Sequence, residues 1–310
     1  MKLFKHRGDI YISKSGYKSS KEERILLSLL AVIVLVTLAL LVLMSNKYSS
    51  FTEFIAGDEI TVETTQPVGE DDILSMPKIS GKHNFLIYET DNEQSAIHYA
   101  YLLQVDGDSL AYKACALNPG MKIDGKTLYS IYSTGGGAAL MTQMTALLGV
   151  DIDFFVGFDK NSFIEFENKL GSFIYPSATD VDYSGGTDDD AYSVRLRVGE
   201  QPLQGVEVSN LLRYFTSKTK EYSRANEIIL YAYTGLFNSD NYDKGEYLFR
   251  TLVTSATTNI TVRDYENNKN VLYVFSNKNT DVTVYSCVPK YEGKELTQQS
   301  VQEIKGYFSK

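Results

Sequence analysis

Hydrophobic and polar positions divide the chain into four stretches. Residues 25–44 form an apolar run without charge, Gly or Pro, in which Ser28 and Thr37 are the polar members. A helix of about twenty residues spans the roughly 30 Å hydrocarbon core of a membrane. The pattern therefore predicts a transmembrane anchor helix at 25–44. A short tail at 1–24 precedes it, and a polar stalk at 45–83 and a folded domain at 84–310 follow it.

The charges beside the apolar run predict its orientation. Residues 1–24 carry seven basic side chains against three acidic ones, whereas Lys47 is soon followed by Glu53 and Asp58. Positive charge stays on the cytoplasmic side, so we expect a single-pass protein of the cell membrane with a cytoplasmic N-terminus and an extracytoplasmic C-terminal domain. A cleaved signal peptide is the alternative. The length of the run and the lack of an A-x-A cleavage pattern favour an uncleaved anchor that contacts the lipid bilayer.

Beyond the stalk, apolar runs with strand character alternate with amphipathic helical patterns. Strands are predicted at 84–89, 100–105, 110–117, 152–158, 172–176, 192–198 and 282–288. Helices are predicted from the glycines at 135–137 to residue 150, and at 161–170, 206–215, 221–237, 247–255 and 297–308. The stretch 180–190, rich in Gly and Asp, reads as a loop. Strands interleaved with helices predict a three-layer α/β/α domain.

Composition narrows the choice of ligands. The net charge of −9 argues against nucleic acid as a partner, and an anionic ligand would need a locally basic pocket. The two cysteines, Cys115 and Cys287, could pair outside the cytoplasm or remain as two buried thiols, and their spacing does not decide between these. Asp188–Asp190 lack the alternating spacing of a calcium loop and read as a solvated loop.

The order of several segments resembles the LytR-CpsA-Psr (LCP) family of Gram-positive cell-envelope proteins. The matching segments are NFLIYETD at 84–91, the glycines at 135–137 with LLGVDIDFFVGFD at 147–159, FIEFENKLGSFIY at 163–175, VGEQPLQGVEVSNLLRYF at 198–215 and SATTNITVRD at 255–264. The resemblance implies the family's single external α/β domain behind one anchor helix. It also implies the family's reaction, in which a glycopolymer moves from a polyprenyl-pyrophosphate lipid to peptidoglycan during cell wall biogenesis.

The chemistry of that reaction calls for arginines and Mg²⁺ around the pyrophosphate and an apolar groove for the lipid. By resemblance, Arg213 and Arg224 would hold the phosphate, and Glu221 would stand where the family has the Asp of Asp-x-x-Arg. Asp91 would ligate the metal, and polyprenyl-phosphate-linked glycopolymer and peptidoglycan would be the partners.

Other positions depart from the family pattern. Ala96 and His98 stand where the family has an Arg and a metal-binding Asp, Pro119 and Gly120 replace another Arg and Asp, and Phe215 replaces an Arg. One Asp and one His make a poorer Mg²⁺ site than two carboxylates, and each lost charge would cost a factor of order 10² in rate.

Three functions therefore stay open at the level of sequence. The first is the phosphotransfer of the family. The second is a catalytically degraded homologue that acts as a lipid-glycan-binding or protein-interaction scaffold, in which His98 is a structural residue at a strand edge. The third is an unrelated structural surface protein.

Overall fold

The computed structural model describes residues 76–186 and 190–309, which belong to one compact unit. Within these two ranges no helix has the length and apolar character needed to span a membrane. The predicted anchor at 25–44 and tail at 1–24 lie outside the described residues, as does the stalk up to residue 75.

The described residues form short strands and helices in alternation. The strands are β1 Lys82–Thr90, β2 Ile97–Asp106, β3 Ala111–Leu117, β4 Lys122–Ile123, β5 Lys126–Thr127, β6 Phe154–Asp159, β7 Phe173–Ser177, β8 Val181–Gly185, β9 Tyr192–Leu196, β10 Gly199–Leu203, β11 Thr257–Thr258, β12 Thr283–Ser286, β13 Tyr291–Glu292 and β14 Glu295–Leu296. The helices are α1 Leu128–Leu148, α2 Lys160–Leu170, α3 Gly205–Arg213 with a π-helical turn at Tyr214–Lys218, α4 Tyr222–Leu236, α5 Ser239–Tyr242, α6 Gly245–Ser255, α7 Val262–Asn267, α8 Lys269–Asn277 and α9 Gln298–Phe308.

A mixed six-stranded sheet occupies the centre, in the order β11-β6-β1-β2-β3-β12. β1, β2 and β3 form an antiparallel meander, while β6 runs parallel to β1 and β12 runs parallel to β3. Neighbouring residues of a strand point to opposite faces, so Ile87 enters one core and Leu86 the other. The first core packs against α2, α3 and α4, and the second against α1 and α9. The prediction of a mixed α/β domain is confirmed, with helices on both faces of the sheet.

Helix α1 corrects the prediction that a helix begins at the triple glycine. It begins seven residues earlier, where the Thr127 hydroxyl accepts a hydrogen bond from Ser130 N at 3.1 Å. Gly136, with φ 62° and ψ −155°, interrupts the helical geometry and produces a kink. At Gly137 an added Cβ would lie 2.4 Å from the Phe155 ring, so a side chain there would prevent the helix from packing on β6.

The stretch predicted as a loop at 180–190 contains a strand. β8 pairs antiparallel with β9, with Val181 buried, and Asp182 faces Arg197 at 3.5 Å on the exposed side. The glycines and aspartates of this stretch are typical of loops, so the sequence does not predict the strand. The structure also contains β10, α7 and α8, which the apolar pattern does not predict.

Candidate functional site

Five polar side chains gather where β1 ends, and we call Glu89, His98, Asp190, Ser209 and Arg213 the polar cluster. Glu89 is fully buried. Its Oε1 accepts hydrogen bonds from Ser209 Oγ at 3.0 Å and faces His98 Nδ1 at 2.9 Å. The other ring nitrogen, Nε2, lies 3.0 Å from Asp190 Oδ1. The His98 ring therefore lies between two carboxyl groups, with one at each ring nitrogen.

A β-bulge places His98 in this cluster. Glu89 pairs with Tyr99 and Thr90 pairs with Ile97, so His98 is an extra residue without a partner in β1. Bulges turn a side chain away from the regular alternation of the strand and often occur beside active sites. This explains why His98 is buried among charges and does not lie on an exposed strand edge.

Arg213 closes the cluster on the side of α3. Its guanidinium binds both oxygens of the Asp190 carboxylate, with Nη1 2.8 Å from Oδ1, and Nη1 also donates to the Asp190 carbonyl at 3.2 Å. The guanidinium carbon lies 4.2 Å from the centre of the Tyr192 ring. Burial works to raise the pKa of Asp190, but hydrogen bonds and charge from Arg213, followed by His98, outweigh it and lower the pKa. Arg213 is therefore already paired with an internal carboxylate.

An apolar cavity of about 330 Å³ lies on the first-core side of the sheet. Its walls are side chains of β1, β2, β3 and β6 below, and of helices α2 to α8 above, mostly aromatic and aliphatic. The first core is thus partly hollow.

The polar cluster adjoins this cavity along two elements. On β1, Ile87 lines the cavity and Glu89 is the next residue on the same face, about 7 Å further along the strand. On α3, Val208 and Leu212 line the cavity, and each is followed by a member of the cluster. The arrangement sets a charged group beside an apolar chamber.

A buried carboxyl, that of Glu167, lies within the cavity wall. Glu167 on α2 is 4% exposed, its Oε2 accepts a hydrogen bond from Gly205 N, and its Oε1 has no partner among the described residues. Burial, with a smaller contribution from the charge of Glu207, raises the pKa of Glu167 to about 8. The cavity therefore presents a neutral carboxylic acid near pH 7.

The predicted residues Arg224 and Glu221 form a separate pair on α4. Arg224 Nη1 lies 3.3 Å from Glu221 Oε2, and its guanidinium carbon lies 4.3 Å from the centre of the Phe215 ring. Arg213, by contrast, pairs with Asp190. The two arginines that the sequence predicts together thus have different partners.

Asp91 shapes the turn between β1 and β2. Its Oδ1 accepts hydrogen bonds from Ser95 N at 2.6 Å and Ala96 N at 3.2 Å, and its Oδ2 bonds the Ser95 hydroxyl. Across residues 76–186 and 190–309 no group of three or more His, Cys, Asp or Glu side chains is arranged to hold a metal ion. Metal binding by Asp91 stays a prediction.

The positions that depart from the family pattern have structural roles. Phe215 is fully buried in the first core and supports Arg224. Pro119 is buried in the turn after β3, where Asn118 Oδ1 accepts from Gly120 N at 2.9 Å. Ala96 donates its N–H to Asp91, as described above.

The sequence does not indicate a functional role for three members of the polar cluster. Glu89 ends an apolar strand, Ser209 lies within an amphipathic helix, and Asp190 belongs to a stretch predicted as a solvated loop. A charged residue that ends an apolar strand is the signal that identifies Glu89, because strand interiors exclude carboxylates unless a partner is near. No local pattern in the sequence indicates that Asp190 lies beside His98 on β2.

No protein-family model matches the chain. An uncharacterised protein of Staphylococcus aureus is 26% identical over 132 residues, which are 42% of this chain and 32% of that protein. The chain thus spans less than a third of the length of the curated relative it matches.

Solved structures resemble this one across most of its length. A protein of Eubacterium siraeum described as a transcription regulator superposes with a TM-score of 0.63 at 15% identity, covering 79% of this chain and 98% of its own. TagV of B. subtilis gives 0.56 at 16% identity (75% and 97%), and TagT bound to LI-WTA gives 0.54 at 16% identity (76% and 92%). TagV and TagT are LCP-family enzymes, so the described domain has an LCP-like α/β fold.

Proposed function

We propose that this chain is a cell-envelope protein that binds a polyprenyl-phosphate-linked glycopolymer outside the membrane to which residues 25–44 anchor it. The LCP-like fold supports a role in cell-envelope glycopolymer chemistry in general. In the TagT structures the bound molecule is a wall teichoic acid derivative, and we transfer that ligand class to this chain by analogy.

The apolar cavity is the observation that carries the proposal. Its walls offer aliphatic and aromatic surface to a ligand, and the polar cluster adjoins them at Glu89 on β1 and at Arg213 on α3. An amphiphile with a long hydrocarbon and an anionic head matches both parts. The prenyl chain would enter the cavity, and the phosphate would lie at Arg213.

Arg213 has the geometry that a phosphate requires. A guanidinium fork that binds both oxygens of Asp190 can bind two phosphate oxygens in the same way. The phosphate would displace the Asp190 carboxylate. Arg224 and Glu221 remain proposed members of the site, and Asp91 remains the proposed Mg²⁺ ligand, although each has its own local partner.

Binding without transfer is a second candidate, favoured by the charges of the polar cluster. Glu89 and Asp190 contribute two carboxylates where phosphoryl transfer needs an excess of positive charge. In the first candidate, transfer to peptidoglycan proceeds after Asp190 is displaced. In the second, the chain carries or presents the lipid-linked glycan for a partner.

Native mass spectrometry of the full chain, titrated with a polyprenyl pyrophosphate with and without Mg²⁺, tests the proposal. We expect one lipid per chain, with affinity reduced about tenfold by Arg213→Ala, a loss of about 1.4 kcal/mol. Ala232→Phe, which fills part of the cavity, should abolish binding. The matched control is Ala138→Phe, at an exposed position of α1 on the other side of the sheet.

Lipid binding that is indifferent to Ala232→Phe would refute the cavity as the binding site. Binding of the dephosphorylated polyprenol distinguishes the cavity from the phosphate site. Arg213→Ala should weaken the binding of the polyprenyl pyrophosphate and leave the binding of the alcohol unchanged. Incubation of the bound complex with peptidoglycan fragments then distinguishes transfer from binding alone.

A further inference from the structure

The two cysteines of the chain lie side by side at one edge of the central sheet. β12 runs parallel to β3 with Ser286 opposite Ala114, and Cys287 N donates to the Ala114 carbonyl at 2.8 Å. The next position along both strands sets Cys287 beside Cys115. Neighbouring strands are about 4.8 Å apart, within the roughly 4.4–6.8 Å between Cα atoms that a disulfide spans.

Both thiols also point into the same core. Cys115 and Cys287 belong to the second core, on the side of α1 and α9, and they are close enough for each thiol to shift the pKa of the other. Both are free thiols here, Cys115 fully buried and Cys287 7% exposed. Register and a shared core therefore bring the two cysteines together.

We propose that Cys115 and Cys287 form a disulfide that fastens the edge strand β12 to β3. This inference does not depend on the proposed ligand. It rests on strand register, a shared core and a thiol–thiol contact.

The two cysteines have different chemical roles in this reaction. The hydrogen bond from Cys115 holds the pKa of the Cys287 thiol below its ordinary value, whereas the same bond and burial raise the pKa of Cys115. The Cys287 thiolate would attack a disulfide compound, form a mixed disulfide and release one thiolate. Cys115 would then lose its proton and attack Cys287 Sγ, releasing the second thiolate. Two protein thiols are oxidised and one disulfide compound is reduced to two thiols.

The bond would secure the least protected strand of the sheet. All four residues of β12 are exposed, and β3 is its one neighbour in the sheet. Asn226 on α4 already bridges the same point, donating to the Cys287 carbonyl at 2.7 Å and accepting from Ala116 N at 2.5 Å. Local separation at this edge would give an oxidant access to Cys287.

The test is equilibration of the full chain with oxidised glutathione, followed by denaturation, alkylation of free thiols and intact-mass analysis. We expect a chain that has lost two hydrogens and takes up no alkylating reagent. Its thermal midpoint should exceed that of the reduced chain by roughly 5–15 °C, because the bond closes a loop of more than 170 residues in the unfolded state.

Single variants provide the controls. Cys115→Ser should trap glutathione on Cys287, since the resolving thiol is gone, and both single variants should lack the oxidative rise in Tm. Two alkylated thiols, a stable glutathione adduct on the unsubstituted chain, or disulfide-linked dimers would overturn the proposal. An internal disulfide with an unchanged Tm would overturn its stabilising role.

Discussion

The polar cluster and the apolar cavity share β1 and α3 but differ in the surroundings of their carboxyl groups. In the cluster, the carboxylates of Glu89 and Asp190 each face His98, and Arg213 neutralises Asp190. In the cavity wall, no ion pair to Glu167 is found among the described residues, and burial raises its pKa to about 8. The comparison shows that a strand end with a bulge can assemble compensating charges, whereas the apolar cavity over the same sheet face keeps the carboxyl of Glu167 on α2 neutral.

The largest expected change in stability follows the removal of His98 from the polar cluster. His98→Ala would leave the fully buried Glu89 without its basic partner, and we expect the free energy of unfolding to fall by about 3 kcal/mol in urea titration. His83→Ala is the control, because its ring is one-third exposed and lies 3.9 Å from Asp153. A loss below about 1 kcal/mol for His98→Ala would mean that Glu89 does not depend on the ring for its charge.

The next effect concerns the cavity carboxyl and its pH dependence. Glu167 keeps its proton in the folded state up to about pH 8, while the unfolded chain loses it near pH 4.5. Stability contributed by this group therefore falls as the pH rises between these values and levels off above pH 8. Glu167→Gln should remove this fall, so that the free energy of unfolding at pH 8 rises above that of the unsubstituted chain and at pH 4 changes little.

Glu165→Gln, at an exposed position of the same helix, should show no such pH dependence. Equal gains for Glu167→Gln at pH 4 and pH 8 would show that the carboxyl is already ionised in the cavity.

A smaller effect tests whether Asp190 competes with an anionic ligand. Asp190→Asn removes the charge that neutralises Arg213, and we expect the affinity for inorganic pyrophosphate, measured by calorimetry, to rise about tenfold, or 1.4 kcal/mol. Asp182→Asn is the matched control, since Asp182 pairs with exposed arginines on β9 and the following loop. Unchanged affinity in Asp190→Asn would remove Arg213 from the proposed phosphate site.

The smallest effect is the response of the cluster to acid. The pKa of Asp190 is lowered in the folded state, so its contribution to stability is present above the unfolded value near 3.8 and is lost as the pH falls through the lowered folded value. Urea midpoints below about pH 4 should therefore converge for the unsubstituted chain and Asp190→Asn. Midpoints that stay equally far apart at acid pH would contradict the ion pair.

The sequence predicts the scaffold better than the cluster, for physical reasons. The hairpin of β2 and β3 and helices such as α2 and α9 follow from local periodicity, and the resemblance identified Arg213. The contact of His98 with Asp190 joins residues 92 positions apart and depends on a bulge, which has no local signature. The kink at Gly136 and the pairing of β8 likewise depend on packing against distant elements.

The bulge at His98 also bears on how such a site can arise. If His98 is removed from the alignment of the two strands, Glu89 still faces Tyr99, Thr90 still faces Ile97, and these two pairs become consecutive. Ile97 and Tyr99 already point to opposite faces of the sheet, as adjacent strand residues do. A single inserted codon is therefore enough to supply the histidine that joins the two carboxylates, and its deletion would return a regular sheet. In evolutionary terms, the histidine can be gained or lost without a change in the pairing of the flanking residues, but its loss would leave the buried Glu89 without its partner.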